Sequence, residues 1–350
     1  MSMEIGFGIV GTGMVARYHA RAIAETPGAR LVATCRADAS RAAEASAELA
    51  VPCEPSFEAL LDRSDVDAVC LCTPSGLHAE QTLLAARAGK HVLVEKPMAL
   101  TLPDADAMIA ACHEAGVHLG VAFQRRTDPA CRELYEAIQA GELGQLVLGT
   151  ASVPYFRPKS YYESAPWRGT WLLDGGGALM NQGIHLVDLL VWLMGGEAEV
   201  AGASGGTATH SIEVEDCVVA ALRFRGGLSD GARGTLSATT AAAPGFPHRV
   251  EIYGTRGGAQ IEGDGLVRWE GGEPRIRPGA LDPASAGSGA SPTGLSNVGH
   301  TLLLQDFVAA VHEGREPLIS GAEGRRSLAL VLAVYEAAGL GAPASLSMVH

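Results

Sequence analysis

The chain has no long hydrophobic run, no block of like charges and no cysteine pattern that defines a metal or redox site. Its longest apolar segment, residues 186–194, is interrupted by Asp188 and is far too short to cross a bilayer. The first residues pass almost at once into an apolar stretch, without the charged region, hydrophobic core and cleavage site that a signal peptide shows in that order. Positive charge is scarce. With 26 Lys and Arg against 39 Asp and Glu, the net charge is -13, which disfavours the attraction to phosphates that nucleic-acid and anionic-membrane binding need. The seven cysteines, at positions 35, 53, 70, 72, 112, 131 and 217, are odd in number, scattered and mostly set in apolar segments, so they read as reduced structural thiols. One residue separates Cys70 from Cys72, which gives neither a zinc knuckle nor a redox CxxC, and no metal is expected. The expectation is a cytoplasmic protein with no nucleic-acid or membrane partner.

What is abundant is core material. At 350 residues, 47% hydrophobic and 19% charged, the chain is long enough for two domains and too apolar for extensive disorder. Up to about residue 122, apolar β-rich runs (5–10, 31–35, 66–72, 91–94 and 117–123) alternate with Ala-rich helical stretches (15–25, 40–50, 78–88 and 102–115). This alternation predicts an α/β domain over 1–122, a doubly wound parallel sheet with helices on both faces. Residues 123–350 have a different texture. Runs at 146–152, 216–224, 231–240, 249–253 and 259–261 read as strands joined by Gly-rich turns, and helical periodicity returns at 301–313 and 324–338. An α+β domain with an open, mostly antiparallel sheet is expected. The stretch 271–299, rich in Gly, Pro, Ser and Ala, reads as a long loop or mobile segment.

Gly11-Thr12-Gly13-Met14-Val15-Ala16 follows the first predicted strand and opens a helix. Gly11 allows the tight turn, Gly13 lets the backbone approach a pyrophosphate, and the small Ala16 lets helix and strand pack closely. The helix N-terminus then turns its free N–H groups toward phosphates, so a Rossmann domain holding NAD(P) is predicted. The second strand ends in Arg36, followed by Asp38, Ser40 and Arg41. A guanidinium at position 36 suits the 2′-phosphate of NADP, with Ser40 and Arg41 as helpers, whereas Asp38 suits the ribose of NAD. The balance favours NADP. The alternative is that Arg36 is only a solvated residue at a strand end.

The fifth strand delivers Glu95-Lys96-Pro97. In an open parallel sheet ligands collect beyond the carboxyl ends of the strands, which places Lys96 beside the cofactor. Later, three glycines (Gly175 to Gly177) lead into a helix that is apolar on nearly every side, and such helices are buried. Its polar exceptions Asn181, His185 and Asp188, spaced by four and three, align on one stripe of an α-helix. Three buried polar groups need partners, so the stripe is expected to face a cleft or a hydrogen-bond network.

Together these residues resemble the Gfo/Idh/MocA oxidoreductases over essentially the whole chain. The matches are Gly11, Gly13 and Ala16 with Arg17-Tyr18-His19-Ala20; Thr73-Pro74 with His78; Glu95-Lys96-Pro97; Arg125-Arg126 with Pro129; the glycine run into His185 and Asp188; and Asp306-Phe307 with the closing residues 321–327. The resemblance implies a Rossmann domain, cofactor contacts from Thr12, Met14, Val15, Thr73, Pro74, His78, Glu95 and Pro97, and an open sheet that builds homodimers or homotetramers. It also implies that Lys96 and His185 handle the proton at the reacting carbon. One departure matters: inositol-dehydrogenase-like members carry an aspartate where this chain has Asn181, and asparagine is no base. Residues 161–171 and 180–183 are similar to the branch that oxidises the 3-hydroxyl of UDP-N-acetylglucosamine-uronate.

The implied reaction is hydride exchange between nicotinamide and a secondary alcohol or ketone of a sugar, cyclitol or sugar nucleotide. In this reading Asp188 orients the His185 imidazole and Asn181 bonds a substrate hydroxyl. Arg168 or Arg126 anchors a carboxylate or phosphate, and Tyr161, Tyr162 and Trp167 form aromatic walls. Two alternatives stay open: a glycosidase that uses NAD transiently on the same fold, and a catalytically silent cofactor-binding regulator.

Overall fold

The computed structural model describes residues 4–271 and 297–341, which form two compact units: 4–124 with 297–325, and 125–271 with 326–341. Six strands run through the first unit: β1 (Ile5–Val10), β2 (Ala29–Cys35), β3 (Cys53–Glu54), β4 (Ala68–Leu71), β5 (His91–Val94) and β6 (Leu119–Val121). They pair in parallel in the order β3-β2-β1-β4-β5-β6. Every residue of β1 and β4 is buried, as strands covered on both faces must be. The helices are α1 (Met14–Glu25), α2 (Ala42–Leu49), α3 (Phe57–Leu61), α4 (His78–Arg87) and α5 (Leu102–Ala115). Local chemistry sets their ends. Thr101 caps α5 by accepting from the Asp104 N–H, and Gly116 closes it in the left-handed region at φ 68°.

The second unit contains α6 (Pro129–Gln139), β7 (Leu146–Pro154), α7 (Lys159–Glu163), a π-helical turn (Ala178–Gly183) and α8 (Ile184–Met194). β8 (Glu197–Gly206), β9 (Cys217–Arg225), β10 (Arg233–Thr239), β11 (Arg249–Gly254), β12 (Gly258–Glu262) and β13 (Gly265–Glu270) follow. Its seven-stranded sheet has the order β13-β12-β11-β7-β10-β9-β8, antiparallel except where β7 and β10 run parallel. Residues alternate across it: Val218, Ala220, Leu222 and Phe224 of β9 are buried while Val219, Ala221 and Arg223 are exposed. Helix α8 packs on the covered face against β7 and β11. Gly149 permits this approach, since a Cβ there would stand 2.7 Å from Met194 Sδ and 2.9 Å from Leu190 Cδ1.

Two further helices follow, α9 (Val298–Glu313) and α10 (Gly321–Ala337). The sequence reading gives residues 297–325 to the second domain, yet they pack in the first unit. The reason is shape: Phe307 of α9 lies 6.3 Å, centroid to centroid, from Phe7, over Gly120 of β6, where a Cβ would come within 2.8 Å of its ring. Residues 272–296 of the loop expected over 271–299 lie outside the described residues, and Val298 and Gly299 are already helical.

Candidate active site

In the first unit, β1 and β4 are neighbours at the point where the strand order reverses, so their outgoing loops diverge there. Gly11 has φ 86°, and a Cβ on it would lie 2.8 Å from the Cys72 carbonyl oxygen. Gly13 differs. A Cβ there would meet nothing within 4 Å, so this glycine keeps open space in front of the first turn of α1, which no side chain caps. Thr12 Oγ1 and Arg36 Nε are shielded from solvent and have no hydrogen-bond partner among the described residues. Open backbone donors, an unobstructed approach and two orphaned polar atoms fit a dinucleotide.

The side chains beyond β2 divide. Asp38 Oδ1 accepts from Ser40 N at 3.0 Å and Oγ at 2.6 Å, and these bonds hold its pKa down. Arg41 forms a two-pronged pair with Glu44 at 2.8 and 3.0 Å. Ser40 and Arg41, expected as helpers of a 2′-phosphate, are thus engaged locally, and Arg36 is the cation that remains. His78 also differs from expectation. It is buried, with Nδ1 2.8 Å from the Pro97 carbonyl oxygen and Nε2 3.0 Å from that of Thr73, so it ties together the loops after β4 and β5 instead of reaching a ligand. Thr73 Oγ1 donates to Gln81 at 2.6 Å.

Lys96 is half-buried just beyond β5, and its N–H donates to Glu95 Oε2 at 3.2 Å. Glu95, expected at the cofactor, instead pairs with His19 of α1 at 2.8 Å, both side chains buried. Burial raises the Glu95 carboxyl, but the hydrogen bond and charge of His19, with His300 and Lys96, bring it down to about 2. Burial likewise opposes charge on His19, and Cys70 and Glu95 beside it lift it to about 10. His300 of α9 meets the His19 ring edge-on at 5.4 Å and stacks on Tyr18. The pair ties the phosphate-facing helix to the strand that carries Lys96.

In the second unit the approach to α8 is not the regular helix that the spacing of Asn181, His185 and Asp188 predicts. Because 178–183 is π-helical, the α-period does not carry across from Asn181 to His185, whereas His185 and Asp188, three residues apart, both lie within α8. Asn181 donates to Asp174 Oδ1 and accepts from Gln182 Nε2 at 3.0 Å; Gln182 Nε2 also reaches Tyr161 Oη at 3.1 Å. His185 is half-buried. Asp188 is fully buried and receives Arg126 Nε and Nη2 at 2.7 and 2.6 Å and Ser327 Oγ at 2.8 Å. One expectation is corrected by this pair: Arg126, 2% exposed, is a structural cation and not a substrate anchor, while the Asp188 carboxylate, expected to orient His185, also takes bonds from Arg126 and Ser327.

Around Tyr161 the aromatic and cationic residues do converge. Arg168 Nη1 donates to Tyr161 Oη at 2.6 Å, and its guanidinium lies 4.3 Å from the Tyr161 ring and 4.5 Å from that of Trp167. No carboxylate among the described residues pairs with Arg168, and its Nε is shielded without a partner. Arg157, which the sequence reading missed, is buried 5.6 Å from the same Tyr161 ring and donates to Gln182 Oε1 at 3.1 Å; burial pulls its pKa down. Tyr162 meets the Tyr161 ring edge-on at 5.1 Å, bonds Thr240 Oγ1 at 2.7 Å and lays its ring against His210.

The π-helical turn is held by a second missed residue, Glu215. Its carboxylate accepts from Gly177 N and Leu179 N, both at 2.8 Å, and from Tyr335 Oη at 2.9 Å. Burial pushes this carboxyl up to about 7 against the pull of those donors. The signal was present as consecutive acids, Glu215-Asp216, just ahead of an apolar strand. Asp216 is likewise an acceptor of backbone N–H groups, from Ala208, Thr209 and His210.

The reversal point with its open cradle places the chain among the oxidoreductases built on a nicotinamide-dinucleotide-binding Rossmann domain. Comparison with known proteins makes that specific. Residues 5–123 match the oxidoreductase family with an NAD-binding Rossmann fold, and residues 131–260 match the GFO/IDH/MocA C-terminal domain. The chain belongs to the GFO/IDH/MocA oxidoreductase family. It is similar to 1,5-anhydro-D-fructose reductase of Ensifer adhaerens, with 31% identity over 97% of this chain and 98% of that one. It is also similar to inositol 2-dehydrogenase of Rhizobium meliloti, at 28% over 94% and 95%. Among solved structures, the WlbA dehydrogenase from Bordetella pertussis in complex with NADH and UDP-GlcNAcA has a TM-score of 0.85 and 34% identity, covering 99% of each chain. Among the described residues no helix is long and apolar enough to cross a membrane.

Proposed function

We propose that the protein exchanges a hydride between a nicotinamide dinucleotide and a secondary alcohol of an anionic sugar, with UDP-N-acetylglucosamine-uronate or a close analogue as the first candidate. The observation that carries this reading is Arg168: a guanidinium held between two aromatic faces, donating to a phenol and paired with no carboxylate among the described residues. A cation held in place and left uncompensated suits a carboxylate or phosphate. The nucleotide-sugar acid seated in the Bordetella enzyme supports the same class.

The bound nicotinamide supplies or accepts the hydride. Gly13 and the first turn of α1 cradle the pyrophosphate. Lys96 and His185 hold and transfer the hydroxyl proton, Asn181 and Gln182 orient the ring hydroxyls, and Tyr161 with Trp167 flanks the sugar. Arg36 supports a preference for NADP, since its Nε is shielded and unpartnered while Ser40 and Arg41 are engaged elsewhere. The exposed sheet face carrying Val147, Val219 and Tyr253 supports self-association as a homodimer or homotetramer, and seven free cysteines support a cytoplasmic location.

The deciding experiment is a panel of nucleotide sugars, uronates, aldoses and inositols followed by absorbance of the reduced nicotinamide. Turnover confined to acidic sugars, lost in Lys96→Ala and His185→Ala and weakened through KM in Arg168→Leu, is the expected result. A preference for neutral inositols with Arg168→Leu unaffected overturns the substrate class.

A further inference from the structure

Four successive backbone N–H groups open the π-helical turn, and an ordinary helix start leaves such donors to solvent or to a ligand. Here none is left over. Gly177 N donates to Glu215 Oε2 and Leu179 N to Oε1, each at 2.8 Å; between them Ala178 N donates to the Glu215 carbonyl oxygen at 2.9 Å. The fourth, Met180 N, donates to Tyr335 Oη at 3.2 Å, while that hydroxyl donates to Glu215 Oε1 at 2.9 Å. The glycines ahead of the turn are cut to fit. A Cβ on Gly177 would fall 1.7 Å from the Glu215 carbonyl oxygen, and one on Gly176 would fall 2.2 Å from Tyr335 Oη.

We propose that Glu215, seconded by Tyr335, is a positioning residue that fixes the π-helical turn and thereby the side chains of Asn181, Gln182 and His185. The proposal rests on the reading of those three as the residues that meet substrate. Two consequences follow from the geometry. The turn is wound so that Asn181 and Gln182, adjacent in sequence, both join the Tyr161 network, and the clamp on 177–180 holds that winding. The clamp also fills the positive end of the helix with the protein's own carboxylate, so a substrate anion finds no site there and is left to Arg168.

The test uses the full chain with Glu215→Ala, Glu215→Gln and Tyr335→Phe. Hydrogen exchange by mass spectrometry reads the clamp directly, and KM values for UDP-N-acetylglucosamine-uronate and for the oxidised nicotinamide cofactor read its consequence. Glu215→Ala is expected to speed exchange over residues 177–180 and raise the sugar KM by about tenfold or more, with the KM for the oxidised cofactor nearly constant. Glu215→Gln, which keeps one carbonyl acceptor, recovers part of both. Tyr335→Phe perturbs them least, and it carries the test should Glu215→Ala fail to fold. Unchanged exchange overturns the clamp, and faster exchange with an unchanged sugar KM overturns its positioning role. Should the wild-type protein prove inactive on every acidic sugar, the substrate reading fails while the exchange rates still decide the clamp.

Discussion

Replacing Arg126 with methionine separates two roles that the sequence left open for it. The guanidinium is buried and forms a bidentate pair with Asp188, which is also buried and takes a third bond from Ser327. Arg126→Met keeps the bulk and removes the charge, leaving Asp188 a desolvated carboxylate without its cation. Breaking one side of a buried pair costs about 3–5 kcal/mol, and for a unit of this size that lowers Tm by about 6–20 °C. Removing both charges is a different matter, because the lone carboxylate causes most of the loss. The double variant Arg126→Met, Asp188→Leu is therefore expected to regain much of the lost stability. Thermal melts of the three variants, with sugar KM measured well below each transition, check the reasoning. A single variant that melts within about 2 °C of wild type, well under the shift expected from a broken buried pair, while its sugar KM climbs steeply, would refute it and return Arg126 to the substrate.

Other outcomes follow from the first unit. Gly13→Val is expected to change apo-protein stability little, since the new side chain points into open space, yet to abolish NADPH binding in a fluorescence titration; equal losses of both contradict the cradle. Arg36→Glu is expected to shift preference from NADPH toward NADH by about tenfold or more, read as a ratio of Kd values, and an unchanged ratio removes Arg36 from the cofactor. The Glu95–His19 pair sets a pH window. Glu95, lowered to about 2, stabilises fully above its unfolded value near 4.5 and loses this as pH falls through 2, while His19, raised to about 10, stabilises fully below 6.5 and loses this as pH rises through 10. Between pH 6.5 and 9.5, wild type is thus expected to lose more Tm than Glu95→Gln, and parallel curves would sink the assignment.

The first unit was legible because its signals are local. Buried parallel strands are near-continuous apolar runs, and the phosphate loop sits at a fixed place in the first strand–helix junction, so β1, β5 and α5 appear at the residues read from the pattern. Elements below the reach of periodicity did not show: β3 has two residues and α3 has five. β8 was missed for a different reason, since as an edge strand it buries almost none of its side chains. In the second unit the error was geometric. An α-period laid over residues 181–188 ran through the end of a π-helical turn that carries Asn181, while His185 and Asp188 lie in the regular helix after it, and only tertiary pairing reveals that Arg126 belongs to Asp188. Glu215 and Arg157 act through partners up to 120 positions away in sequence, a distance over which spacing carries no information.

The placement of Phe307 bears on how the protein is made. The hydrophobic floor of the cofactor-binding unit is completed by a helix, Val298–Glu313, translated long after its last strand, Leu119–Val121. A ribosome therefore releases the sheet, then nearly all of the second unit, before the first can shut its core. An isolated fragment ending at residue 124 would expose the surface that Phe307 covers, and a nascent chain holds the same surface open to chaperones until α9 emerges.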